Sequence, residues 1–113
     1  MVLAVQILVA FMTEALLIAL SIVAARRLKG HAKLPMQWQL DGRVTWMAPK
    51  RFALAFTPVL TVFVLAAIVA LSLIVKPRSG QEWMMIPVTL FVGFTAVSVH
   101  AFHLWMMKKH LKA

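Results

Sequence analysis

Three long apolar runs, residues 1–25, 52–75 and 84–107, are separated by short polar segments, and Glu14 is the only Asp, Glu, Lys or Arg inside any of them. A run of 24 or 25 residues rising about 1.5 Å per residue makes a helix of about 36 Å, enough to cross a hydrocarbon core of about 30 Å with some tilt. Lipid offers no partner for backbone N–H and C=O groups, and a barrel would need many more strands than this length supplies, so each run is predicted as a helix. The pattern predicts an all-α membrane protein forming one domain over 1–113: three transmembrane helices, with a basic cytoplasmic loop over 26–51 that holds a short hairpin. The first run starts at Met1, but it lacks a basic leader and is longer than a signal core, so it is expected to remain as a span.

Composition agrees with the pattern. The chain is 63% hydrophobic and 13% charged, with a mean hydropathy of +0.91, and soluble domains carry about twice that share of charge. Cysteine is absent, which removes disulfide scaffolds, thiolate metal sites and cysteine nucleophiles. Charge sets the orientation. The loop 26–51 holds seven Lys and Arg, the segment 76–83 two and the tail three, so the first loop and the C-terminus are expected in the cytoplasm and the N-terminus outside. With the basic residues beside span ends, the net charge of +9 reads as attraction to anionic inner-leaflet lipid, and no nucleic-acid partner is expected.

Within the loop, Leu34-Pro35-Met36-Gln37-Trp38 and Val44-Thr45-Trp46 flank an Asp41-Gly42 turn signal, the pattern of a hairpin. A three-residue connection, Asp41 to Arg43, sets Leu40 opposite Val44 and Trp38 opposite Trp46, gathering the apolar groups on one side. That side is expected to lie at the headgroups or to cap the cytoplasmic helix ends, since an isolated hairpin is marginal in water. The run Leu34-Pro35-x-Gln37-Trp38, then Gly42, then Pro49-Lys50 ahead of an apolar helix containing Pro58, resembles the N-terminal domain of unknown function in SdpI-type bacterial immunity membrane proteins. The resemblance covers roughly residues 30 to 65. It implies a multi-pass protein of the bacterial inner membrane and, by extension, toxin immunity or retention of a repressor at the membrane.

Inside the spans, Gln6, Ala10, Thr13, Glu14, Leu17 and Ser21 share one broad helix face, which is expected to meet protein while the aliphatic side meets lipid. Thr89, Gly93, Ala96, His100 and His103 form a stripe of small and polar residues on the third span, where another helix can approach closely. Glu14 near mid-span needs compensation. The expectation is a protonated carboxyl that hydrogen-bonds Thr or Ser and holds the bundle together; a proton-sensitive pair with His100 is the alternative. His100 and His103 supply half of a metal or haem site, but no other span has a His and Glu14 is the only carboxylate among them, so neither metal nor cofactor is expected. Pro58, near the start of the second span, is read as a packing feature; His31 and His110 are read as solvated.

With three acidic residues in the chain and no triad, P-loop or dinucleotide fingerprint, catalysis is not expected. The expected function is non-enzymatic: helix-mediated association with itself or with a membrane partner, as a homo-oligomer or within a larger complex. Such a protein would be of immunity or signalling type, or an accessory subunit. The alternative is an oligomeric proton or ion transport component that uses Glu14, Thr61 and His100.

Overall fold

The computed structural model describes residues 2–75 and 80–112. Three helices dominate it: α1 (Val2–Arg27), α2 (Lys50–Ile74) and α3 (Met85–Lys112), the last preceded by a 3-10 turn at Glu82–Met84. All three are long and apolar enough to cross a membrane. The helix α3 continues beyond the apolar run into the basic tail. Lys76 and Arg78, the basic residues of the second connection, lie outside the described residues.

Side-chain hydrogen bonds give the helix directions. Gln6 of α1 donates through Nε2 to Ser72 of α2 at 3.2 Å and to Thr89 of α3 at 3.3 Å. Fifteen residues further along α1, Ser21 reaches Leu54 of α2 and His100 of α3. Thus α3 runs parallel to α1, and α2 runs antiparallel to both. Part of the face predicted to meet protein does so: Gln6, Thr13 and Leu17 are buried and Ser21 is half-buried, while half-buried Ala10 and Glu14 border a cleft towards α2.

Of the stripe on α3, Thr89, Gly93 and His100 are buried against α1, whereas half-buried Ala96 lines a cleft with α2 and half-buried His103 meets the hairpin. A Cβ placed on Gly93 would stand 2.6 Å from Thr13 Oγ1, which is itself held by donation to the Val9 carbonyl at 2.8 Å. Only glycine permits this approach. Gly93→Ala is therefore expected to destabilise the bundle by about 1–2 kcal/mol through overpacking. Adding Thr13→Ala should restore most of the loss, because the Thr13 Cβ lies at an ordinary 3.7 Å from the added methyl position. Reversible unfolding in mixed micelles measures both, and a double variant no more stable than Gly93→Ala would refute the contact.

Between α1 and α2 the chain forms the predicted hairpin, β1 (Lys33–Trp38) paired antiparallel with β2 (Val44–Pro49). Its register differs from the expectation. Trp38 stands opposite Val44 and Gln37 opposite Trp46, leaving the connection at Gln39 to Arg43. Leu40 at the tip is fully exposed rather than paired with Val44. The ladder is irregular between Pro35 and Gln37 and again between Gln37 and Trp38, so Met36 and Thr45 are the extra residues, one on each strand. Pro35 lacks the N–H that a regular ladder needs, and bulges are where strands accommodate proline. The tip is closed by Gln39 N–H donating to the Arg43 carbonyl and Gly42 N–H to the Gln39 carbonyl. Gly42 has φ +91°, a left-handed conformation that costs glycine little. The Arg43 backbone N–H and guanidinium both donate to Asp41 and hold its carboxyl below the ordinary Asp range. This ion pair is present above the unfolded pKa and is lost as pH falls through the depressed one.

The shifted register separates the two tryptophans. Trp38 turns inward and meets the His103 ring edge-on at 5.5 Å. Trp46 turns outward onto Phe52, which in turn contacts Phe56, an aromatic row of the kind found at membrane interfaces. Beneath the hairpin, Leu34 and Ala48 close a core with Leu28, Ala53, Leu54 and Met107 from the helix ends. Lys50 ties the cap down. Its Nζ donates to the carbonyls of Ala25 at 2.8 Å and Leu28 at 3.0 Å, satisfying acceptors that the end of α1 leaves open.

Candidate functional site

On α1, successive residues are rotated by about 100°, which turns Glu14 away from its neighbour Thr13. Thr13 contacts Gly93 of α3, whereas Glu14 lies on the flank towards α2. It sits where two lateral clefts between α1 and α2 meet. One cleft, about 430 Å³, runs from Glu14 past Phe11 and Ala66 towards Ile7 and Leu73. The other, about 590 Å³, runs past Ile18 and Pro58 to Arg51 at the hairpin end. Their walls are apolar apart from Glu14, Ser21 and Arg51. Glu14 is half-buried, and its Oε1 has no hydrogen-bond partner among the described residues.

Neither hydrogen-bond partner expected for Glu14 is found among the described residues. No Thr or Ser hydrogen-bonds it among the described residues, and His100 is bonded elsewhere, to Ser21 at 2.8 Å. The cause is rotational: the α3 stripe faces the Gln6–Thr13 side of α1, and Glu14 is about one residue's turn past that contact. The helix that approaches the α3 stripe closely is α1, at Thr89, Gly93 and His100.

Ser21 and His100 belong to a chain of bonds that single-residue reading missed. Pro58 has no N–H to offer the Leu54 carbonyl one turn before it. Ser21 Oγ donates to that carbonyl at 2.7 Å and lies 2.8 Å from His100 Nε2. With the hydroxyl hydrogen committed to Leu54, His100 Nε2 is the donor to Ser21. All three helices meet at this point. The sequence signal was the spacing of Pro58 from Leu54, which announces a free carbonyl that a neighbouring helix has to satisfy.

His100 Nδ1 and His103 Nε2 are buried without hydrogen-bond partners among the described residues. The two rings serve different contacts, His100 at Ser21 and His103 at Trp38, and no group of three metal-ligating side chains converges among the described residues. Of the loop motif, Leu34 and Pro35 are fully buried, Trp38 and Lys50 are half-buried in the cap, and Pro58 is buried between helices. Gln37, Gly42 and Trp46 are exposed. His31 is half-buried and His110 is exposed.

Fold and site together define a bundle of three membrane-length helices capped at one end by a β-hairpin, with a carboxylate opening on a lateral apolar groove. Scans of family models, curated proteins and solved structures returned no match to this chain.

Proposed function

We propose that this is a non-enzymatic, multi-pass protein of the bacterial inner membrane that works by lateral association. The α1/α2 groove takes a transmembrane helix of a partner or of a second copy, and Glu14 supplies the polar contact. The hairpin end faces the cytoplasm and the N-terminus lies outside, because ten of the twelve Lys and Arg flank that end. The immunity or repressor-retention role implied by the loop's resemblance is one use of such association.

The observation that carries the reading is the unpartnered Glu14 Oε1 in an apolar groove. A carboxylate at this depth costs at least about 2.5 kcal/mol if ionised, and even a neutral carboxyl lacks a bond it would otherwise make. A donor on a helix seated in the groove supplies one, an interaction of about 1–2 kcal/mol that corresponds to roughly five- to thirty-fold in association.

Photoreactive residues placed at Ile18 and Val62 in native membranes test this. Protein–protein crosslinks are expected at both positions, reduced roughly five- to thirty-fold in Glu14→Ala and retained in larger part in Glu14→Gln, which keeps hydrogen-bonding capacity. Adducts to lipid alone, unchanged by either substitution, would defeat the proposal.

A further inference from the structure

A second groove lies between α1 and α3 at the hairpin end and shares no residue with the Glu14 groove. It encloses about 220 Å³, and its apolar walls include Leu20 and Val23 of α1 and Ala101, Leu104 and Trp105 of α3. Arg27 and Lys108 complete its lining at the hairpin end. They also line an adjoining cavity of about 300 Å³, together with His31 and Leu111. The groove is therefore apolar towards the membrane and cationic towards the hairpin end.

Two cations facing one cavity repel each other unless an anion lies between them. The chain has three acidic side chains, and among the described residues none of them lines this groove. Glu14 faces the other groove, Asp41 is bonded to Arg43 at the hairpin tip, and Glu82 precedes α3 at the opposite end. We infer that this groove binds an anionic phospholipid, its phosphate between Arg27 and Lys108 and an acyl chain along Leu20, Val23 and Leu104. The continuous apolar wall selects a lipid over a free anion. Basic pockets between helices at the cytoplasmic side hold anionic headgroups by the same attraction. The negative ends of the α1 and α3 dipoles also favour these cations, but that effect confers no preference among lipids.

The test titrates the 113-residue chain in mild detergent with phosphatidylglycerol or phosphatidylcholine and reads bound lipid by native mass spectrometry. Phosphatidylglycerol is expected to bind at least about tenfold more tightly. Arg27→Gln with Lys108→Gln should weaken it roughly ten- to thirty-fold, while Lys29→Gln with Lys33→Gln, the same charge loss outside the groove, stays within about threefold. Arg27→Lys with Lys108→Arg, which keeps both charges, should bind phosphatidylglycerol as the unaltered chain does, and inorganic phosphate should not displace the lipid. Equal loss in both glutamine variants, equal binding of the two lipids, loss of binding in the charge-keeping variant, or displacement by inorganic phosphate would each overturn the inference.

Discussion

Ser21→Ala is expected to lower the stability of the bundle by roughly 1–3 kcal/mol, because two interhelical hydrogen bonds go at once and each is worth about 0.6 to 1.7 kcal/mol in a membrane. The Leu54 carbonyl loses the hydroxyl that bonds it and His100 Nε2 loses its acceptor. Pro58 makes the result specific. In a Pro58→Ala background, residue 58 regains an N–H that bonds the Leu54 carbonyl within α2, so the same serine substitution should cost about half as much. Reversible unfolding of the four proteins of this double-mutant cycle provides the measurement. An identical cost in both backgrounds would show that Ser21 does not stand in for the missing backbone donor.

Leu34→Ala is expected to have the larger effect, about 2–5 kcal/mol, the range for deleting a fully buried leucine. Leu34 has no exposed surface and packs in the core with Leu28, Ala48, Ala53, Leu54 and Met107. Hydrogen exchange should locate the damage. The amides of Gln39 and Lys50, bonded to the Arg43 and Ala32 carbonyls, lose protection, while amides in the middle of α1 and α3 keep theirs. A loss below about 1 kcal/mol would mean that the hairpin does not fold as part of the bundle. The same substitution bears on how the loop motif is read. Leu34, Pro35 and Lys50 are engaged in closing the hairpin over the helix ends, so a phenotype from changing them reports on the cap. Exposed Gln37 and Trp46 are the positions at which a partner contact would be sought.

The three helices were legible in the chain because each follows from a sum taken along one segment. About two dozen apolar residues with at most one charge favour a helix in lipid whatever their neighbours do. The buried faces were legible for a related reason: Gln6, Thr13 and Ser21 on α1, and Thr89, Gly93 and His100 on α3, recur at helical spacing, and a polar or small face is the one that meets protein. The hairpin's existence followed from its alternation around Asp41-Gly42. Its register did not, because the energy gained by pairing Trp38 with Trp46 is small beside that of fitting Leu34 and Trp38 onto the helix ends, with the bulge after Pro35 as the means.

Partners were decided only in three dimensions. A rotation of about 100° on α1 separates Thr13, pressed against Gly93, from Glu14, left in an open groove, and composition does not encode that angle. The carbonyl freed by Pro58 could be inferred from spacing; that Ser21 satisfies it, with His100 behind, depended on how far the helices slide along one another. Segment-by-segment transfer energy chose what enters the bilayer, and pairwise geometry between helices chose which polar groups there found one another.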